Sequence, residues 1–460
     1  MAPYDFDIVV IGGGPGGYVA AIKAAKEGKK VCIAERASFG GVCLNEGCIP
    51  TKTLIKSANV LHAVKSASIF GIEGVDPARV SVSMPTVQQR KKNVVQALVG
   101  GVEGLLRGSK VTVLKGNATF VDTHTIDVSG KKVSFENCII ATGSSVMIPS
   151  FIKQEGKNTI LTSREALELD TVPSSIAIIG GGVIGVEFAY LFNRLGCKVT
   201  VLELMENILP MVDEEVSGMA KKRMQKDGVT FHMGAKVHTV NNNTVLFEQA
   251  GKQESVKAEC ILMAVGRVAN TDGLGAKEIG IEFDKAAIRT DASLCTNIPH
   301  IYAIGDVNGK VMLAHTASHE GIVAVEAICG GHGHMDYAKI PSCIYLEPEI
   351  ACIGLTENQA KAQGKKVKIG KFLMQANGKS LVEGETDGMA KVVLDAEFGE
   401  ILGVHVYGNH VTDMISEFSV AMTMEATAEE IIHAVHPHPT VSEALPEAFM
   451  AAYGKAIHCR

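Results

Sequence analysis

The chain has 460 residues, 46% hydrophobic and 20% charged, with 48 glycines and a formal net charge of −6. That length predicts two to four domains with ample cores. The acidic balance argues against nucleic acid as a main partner, and apolar stretches broken by glycine stay short of the ~20 residues of a membrane helix.

Phe6–Ile11 reads as a short buried strand that runs into Gly12-Gly13-Gly14-Pro15-Gly16-Gly17. A helix from about Tyr18 to Glu27 and a strand Val31–Ala34 ending at Glu35 follow. This is the strand, Gly-x-Gly-x-x-Gly, helix, strand, acid order of a dinucleotide-binding unit. Gly12 permits the tight turn, Gly14 admits a pyrophosphate, and Gly17 lets helix and strand pack closely. The phosphates would sit at the helix N-terminus, where free N–H groups and the helix dipole favour anions. Glu35 is placed to accept from a ribose.

Directly downstream comes Gly40-Gly41-Val42-Cys43-Leu44-Asn45-Glu46-Gly47-Cys48-Ile49-Pro50. In a regular helix Cys43 and Cys48 would have Cα atoms roughly 8.5 Å apart, beyond the about 7 Å a disulfide tolerates. The pair can close only if the helix is distorted, and Gly40, Gly41, Gly47 and Pro50 supply distortion. A strained, accessible disulfide is the reducible kind. Two free thiols, or half of a zinc site, are the plainer alternatives. No second Cys or His pair follows at ligand spacing, which argues against zinc. The eleven cysteines otherwise lack the spacing of a secreted disulfide framework. No signal peptide opens the chain. A cytoplasmic protein is expected, or a mitochondrial-matrix one if a targeting segment has been removed.

Arg90-Lys91-Lys92 reads as the solvated face of a helix. Cys138–Ala141, leading into Thr142-Gly143, is an apolar strand that closes the first sheet. The fingerprint then recurs: Ser175–Ile179, Gly180-Gly181-Gly182-Val183-Ile184-Gly185, a helix to about Leu195, and Lys198–Leu202 ending at Glu203. An acid there suits the free 2′-hydroxyl of NAD and repels the 2′-phosphate of NADP. Ile261–Ala264, then Val265-Gly266-Arg267, echoes the closing strand. Thr296–Ile304 reads as a strand ending in Gly305-Asp306, whose carboxylate suits a polyol such as ribitol. Gly330-Gly331-His332-Gly333-His334 reads as an exposed loop rather than a metal site. Met389–Asp395 and Ile401–Tyr407 predict a hairpin. Apolar residues at 411, 414, 415, 418 and 422 follow helical spacing, and Thr427–Glu430 is a capping box opening another helix. The predicted fold is α/β, with two Rossmann-like dinucleotide-binding domains plus a C-terminal α+β domain.

Assembled, these pieces resemble the two-dinucleotide flavoprotein disulfide reductases (pyridine nucleotide-disulfide oxidoreductases, class I), and among them the members that use lipoamide. The resemblance runs from Asp5 to about Ala452. It rests on the paired fingerprints, the Gly40–Lys52 segment, Tyr302-Ala303-Ile304-Gly305-Asp306, and His436-Pro437-His438-Pro439-Thr440, with Ser442-Glu443 after it. It implies an FAD-binding domain over 1–147, an NAD-binding domain over 148–267, a second part of the FAD domain over 268–338, and an interface domain over 339–460.

The resemblance also implies roles. Cys43 would exchange with substrate and Cys48 would be the thiolate facing the flavin. His438 would be the base, oriented by Glu443 and preceding a cis Pro439. Lys52 and Glu187 would pair beside the flavin. Gly12, Gly14, Pro15, Gly16, Gly17, Glu35, Lys52, Thr142, Gly143, Gly305, Asp306, Met312, Leu313, Ala314 and His315 would hold FAD. Gly180, Gly182, Ile184, Gly185, Glu187, Glu203 and Gly266 would hold NAD; no metal is expected. The implied reaction reoxidises protein-bound dihydrolipoamide with reduction of NAD+. The implied assembly is a homodimer with a shared active site. Its partner would be a lipoyl-bearing acyltransferase or glycine cleavage carrier protein, because no lipoyl domain precedes Tyr4; no nucleic acid or membrane is involved.

Glutathione-type enzymes place arginine where Ile22 stands and basic groups where Glu203 stands. Trypanothione-type enzymes use a tryptophan, and this chain has none. Mercuric and large thioredoxin reductases carry a second C-terminal cysteine pair, where only Cys459 is available here. Asn409-His410 and Pro437 depart from the lipoamide pattern. An NAD(P)H-dependent reductase of another small disulfide, or a non-enzymatic flavin-binding redox sensor, are the alternatives.

Overall fold

A computed structural model describes residues 3–458; Cys459, the lone C-terminal thiol, lies outside the described residues. Strand β1 (Phe6–Ile11) has Ile8, Val9 and Val10 without solvent exposure on either face, as a central parallel strand requires. It lies between β2 (Val31–Glu35) and Lys131–Ile140, with β3 (Thr112–Lys115) beyond β2 and Ile301–Ala303 beside Ile140, all parallel. Helix α1 (Pro15–Lys26) begins three residues earlier than Tyr18. Proline is tolerated at the first helical position because the N–H it lacks would have no intrahelical acceptor.

The second unit repeats the arrangement. Ser175–Ile179 is flanked by Lys198–Glu203 and Cys260–Met263, with Thr230–Met233 and Ile160–Leu161 outside them, again all parallel. The C-terminal sheet is antiparallel, in the order Ser342–Ile344, Glu349–Gly354, Ile401–Gly408, Met389–Asp395, Val367–Leu373. It contains the predicted hairpin, and Thr427 caps Ala428–His433 with Glu430 as expected. Ile344, Met389 and Tyr407 of this sheet share one apolar core with Ile176, Val201 and Leu262 of the second unit.

Three expectations need correction. The strand over 296–304 is only Ile301–Ala303, because Thr296 folds back so that its N–H and hydroxyl both reach the Ile301 carbonyl. The helical run over 411–422 splits into Val411–Met414 and Ser416–Thr423, where the Phe418 N–H reaches only three residues back, to Ile415. That tightened turn preserves the buried face. Lys91 is not solvated: it is 2% exposed, and its Nζ donates to the Leu167 carbonyl and the Glu168 carboxylate. A buried ammonium without partners costs several kcal/mol, so this lysine fastens the long helix Met84–Gly108 to the 167–168 segment.

Candidate active site

Both glycine loops are built alike. Gly12 and Gly180 have φ of +108° and +113°, and a side chain on either would strike a carbonyl oxygen, of Ala141 and Ala264 respectively. Gly17 and Gly185 press on the carbonyls of Gly12 and Gly180. Gly14 and Gly182 differ from these. Their φ values, −68° and −75°, are ordinary, and an added Cβ would meet nothing within 4 Å. Neither backbone nor packing within the chain requires glycine there. The space in front of each loop fits a group from outside the chain, and no side chain caps α1 or the helix Val183–Arg194. A dinucleotide pyrophosphate fits that cradle.

The strand-end acids are also equivalent. Glu35 accepts from Gly13 N and Ala37 N, both at 2.6 Å; Glu203 accepts from Gly181 N at 2.5 Å and Met205 N at 2.7 Å. Each carboxylate is pinned at the mouth of its loop, with lone pairs left for ribose hydroxyls. Ile184 is half-buried against the apolar core, and Gly266 takes φ +134°.

Helix α2 (Gly41–Glu46) carries Cys43 and helix α3 (Cys48–Lys65) begins at Cys48. Gly47 between them, at φ −145° and ψ −107°, breaks the helix as the geometry of the pair demands. Both cysteines are free thiols in this structure, half-buried, and their ionisation is linked. The neighbouring Cys43 thiol, helped by the Lys52 charge, outweighs burial and pulls Cys48 down to about 7. Cys43 is pushed far up. The first turn of a helix further favours a thiolate.

Lys52, one turn into α3, forks onto both Glu187 oxygens at 2.9 and 2.8 Å. Tyr345, which the sequence did not flag, holds this pair in place. Its N–H donates to Glu187 at 3.0 Å and its ring lies 4.7 Å below the Lys52 ammonium.

The remaining predicted FAD residues converge on the end of the first sheet. Asn270 clamps the Thr142–Gly143 turn: Thr142 Oγ1 donates to its carbonyl at 2.7 Å, and its own N–H donates to Gly143 O at 2.9 Å. Asp306 accepts from the Ser144 hydroxyl, and Arg267 donates to that hydroxyl at 2.7 Å. Gly305 N–H donates to Glu320, a fully buried carboxylate that also takes Tyr337 OH at 2.6 Å and Asn308 Nδ2 at 3.1 Å. Met312 and Leu313 lead into the helix Ala314–Ile328, where His315 is exposed and its Nε2 bonds to Pro341 O at 2.8 Å. Glu320 had a signal in the sequence: it is an acid on the helical face shared by Ala317, Gly321 and Ala324. Tyr345 and Asn270 had none.

His438 stands on an exposed loop before a cis Pro439. Its Nδ1 lies 2.9 Å from Glu443 Oε1. Burial raises the Glu443 carboxyl, but the Thr440 N–H and His438 together hold it below its usual range. An ionised carboxylate only accepts, so Nδ1 is the nitrogen that donates, which in the neutral ring leaves the lone pair on Nε2. Beside it, His436 bonds to Glu417 at 3.1 Å, which raises its pKa. Among the described residues His438 pairs with Glu443 and with neither cysteine. Nor do any three His, Cys, Asp or Glu there form a metal cluster, and no helix is long and apolar enough to cross a membrane. His332 and His334 are exposed and outside regular structure.

Two family models match the chain: the pyridine nucleotide-disulphide oxidoreductase over residues 6–321, and the dimerisation domain of that family over 340–449. A dihydrolipoyl dehydrogenase of Bacillus subtilis is 44% identical, with 99% of each chain covered. One from Zymomonas mobilis is 40% identical over 98% of this chain and 99% of its own. Among solved structures, the HOCl-induced flavoprotein disulfide reductase RclA from Escherichia coli superposes with a TM-score of 0.83 at 27% identity, over 96% of this chain and 99% of that one.

Proposed function

We propose that this chain, which belongs to the pyridine nucleotide-disulphide oxidoreductase family, is a dihydrolipoyl dehydrogenase. It oxidises dihydrolipoamide to lipoamide and reduces NAD+ to NADH, with FAD as its bound cofactor. The observation that carries the reading is the Cys43–Cys48 pair, set on two helices broken at Gly47, with Lys52 one turn further on and paired to Glu187.

The chain's own residues perform the exchange. With the pair oxidised, His438 Nε2 takes a proton from one substrate thiol. The thiolate attacks Cys43; a substrate–Cys43 disulfide forms, the Cys43–Cys48 bond breaks, and Cys48 leaves as thiolate. Cys48 is the better leaving group because its pKa is the lower of the two. The second substrate thiol then attacks the first sulfur; its proton passes to the departing Cys43 sulfur, the lipoamide ring closes and Cys43 is released as a thiol. FAD in the first cradle supplies the two-electron carrier between this dithiol and NAD+ in the second. Gly14, Pro15, Gly16, Gly17, Glu35, Thr142, Gly143, Gly305, Asp306 and the 312–315 segment hold FAD. Gly180, Gly182, Gly185 and Glu203 hold NAD, and Lys52–Glu187 places a fixed cation beside the cysteines.

His438 serves the cysteines of a second copy. The match to the family's dimerisation domain supports a homodimer, and among the described residues His438 makes its hydrogen bond to Glu443 and none to its own cysteines. The lipoyl group arrives on an acyltransferase or a glycine cleavage carrier protein. Buried free thiols suit a reducing compartment, the cytoplasm or the mitochondrial matrix.

The test compares NAD+ reduction by dihydrolipoamide with NADH and NADPH oxidation by glutathione disulfide, using the purified yellow protein. Fast NADH formation from dihydrolipoamide is expected. Preferential consumption of NADPH with glutathione disulfide would replace this reading with a glutathione-type one.

A further inference from the structure

Lys371, Lys391 and His405 form one row across three strands of the C-terminal sheet. Lys391 is 2% exposed, and its Nζ reaches Asp213 at 3.0 Å, Glu215 at 3.1 Å and Glu357 at 2.9 Å. Asp213 is equally buried and caps the helix Glu214–Lys226 through Glu215 N. It also ends the segment 204–213 that leaves Glu203. That segment turns back on the second glycine loop: Leu209 N donates to Gly181 O at 2.9 Å, and Met205 N to Glu203 at 2.7 Å. Ile208, Leu209 and Val212 pack in the same core as Met389, two residues from Lys391.

Burying two ions costs several kcal/mol each, and an apolar contact would join sheet and loop without that cost. What the ion pair adds over an apolar contact is a fixed position for Asp213. We infer that Lys391, through Asp213, is a positioning residue for the NAD site: it holds the 204–213 segment, and with it Glu203 and Gly181, at the geometry that binds NAD+. The inference rests on the assignment of the second cradle to NAD. It ties the domain that presents His438 to the electron acceptor's site at the far end of the relay.

The variant Asp213→Asn tests it in the holoenzyme. Asparagine caps a helix as well as aspartate, and Lys391 keeps Glu215 and Glu357, so no buried charge is orphaned. Networks of this kind alter binding by about two- to thirtyfold. The KM for NAD+ is expected to rise within that range, while the KM for dihydrolipoamide and the FAD content stay at wild-type values. Glu215→Gln is the control: it removes a second Lys391 partner whose side chain makes no bond to the 204–213 segment, so it should lower Tm without raising the KM for NAD+. An unchanged KM in Asp213→Asn, or equal rises in both variants, overturns the inference. If the wild-type protein has no saturable NAD+ dependence, the assignment of the second cradle itself fails.

Discussion

The two glycine loops share sequence, φ values and pinned acids, yet their surroundings differ. The first is walled in by its own chain. A side chain on Gly41 would come within 2.8 Å of Gly14 Cα, one on Gly16 within 2.8 Å of Ala317 O, and one on Gly321 within 2.7 Å of Gly16 O. Thus α2 and the helix Ala314–Ile328 both close on α1. Around the second loop, Gly185 presses only on its own unit, and Val183 at the helix start is 39% exposed. One binding unit used twice has become a closed seat and an open one. A closed seat suits a resident cofactor, and an open one suits a co-substrate that leaves every turnover.

That contrast can be broken by paired substitutions. Gly16→Val puts a side chain into the Ala317 backbone, which cannot yield as a flexible side chain would. The protein should be isolated colourless and without detectable turnover; one FAD per chain in this variant would mean that the first seat is not closed. Gly182→Val adds its side chain to open space, so the protein should fold and stay yellow. Its KM for NAD+ should rise by about tenfold or more, and an unaltered KM would show that NAD+ does not lie against Gly182.

A smaller effect sharpens the edge of the first seat, where α2, which carries Cys43, closes on Gly14 through Gly41. Cys48 lies below the ordinary thiol range, so its thiolate exists above about pH 7 and is lost as pH falls through that value. The stability the thiolate contributes is complete above the ordinary thiol pKa of about 8.5 and disappears over the same descent. Alkylation of Cys48 in the reduced protein should therefore reach half its maximal rate near pH 7. A midpoint near 8.5 would remove the polarisation of the pair.

The parts legible in the sequence are those whose chemistry is local. Each fingerprint completes its strand, loop, helix and acid within about thirty residues, so Gly12 to Glu35 and Gly180 to Glu203 were readable from spacing. That the helix must distort somewhere among Gly40, Gly41, Gly47 and Pro50 followed from the reach of a disulfide; that Gly47 is the break is seen only in the structure. The roles proposed for Lys52, Glu187, His438 and Glu443 came from family resemblance, because Lys52 and Glu187 are 135 positions apart and no local pattern links them. Lys91 was misread for the same reason: a Arg-Lys-Lys run looks solvated until a segment 76 residues later covers its middle member. Tyr345, Asn270 and Lys391 were silent because each acts on a distant element brought near only by packing between units.

The central claim is that electrons from dihydrolipoamide reach NAD+ only through the Cys43–Cys48 pair. It is tested most directly by anaerobic mixing of dihydrolipoamide and NAD+ with wild-type protein and with Cys48→Ser, both carrying a full complement of FAD, while NADH is followed. The account predicts rapid NADH formation by the wild type and none above background by the variant. Comparable NADH formation by both would contradict it.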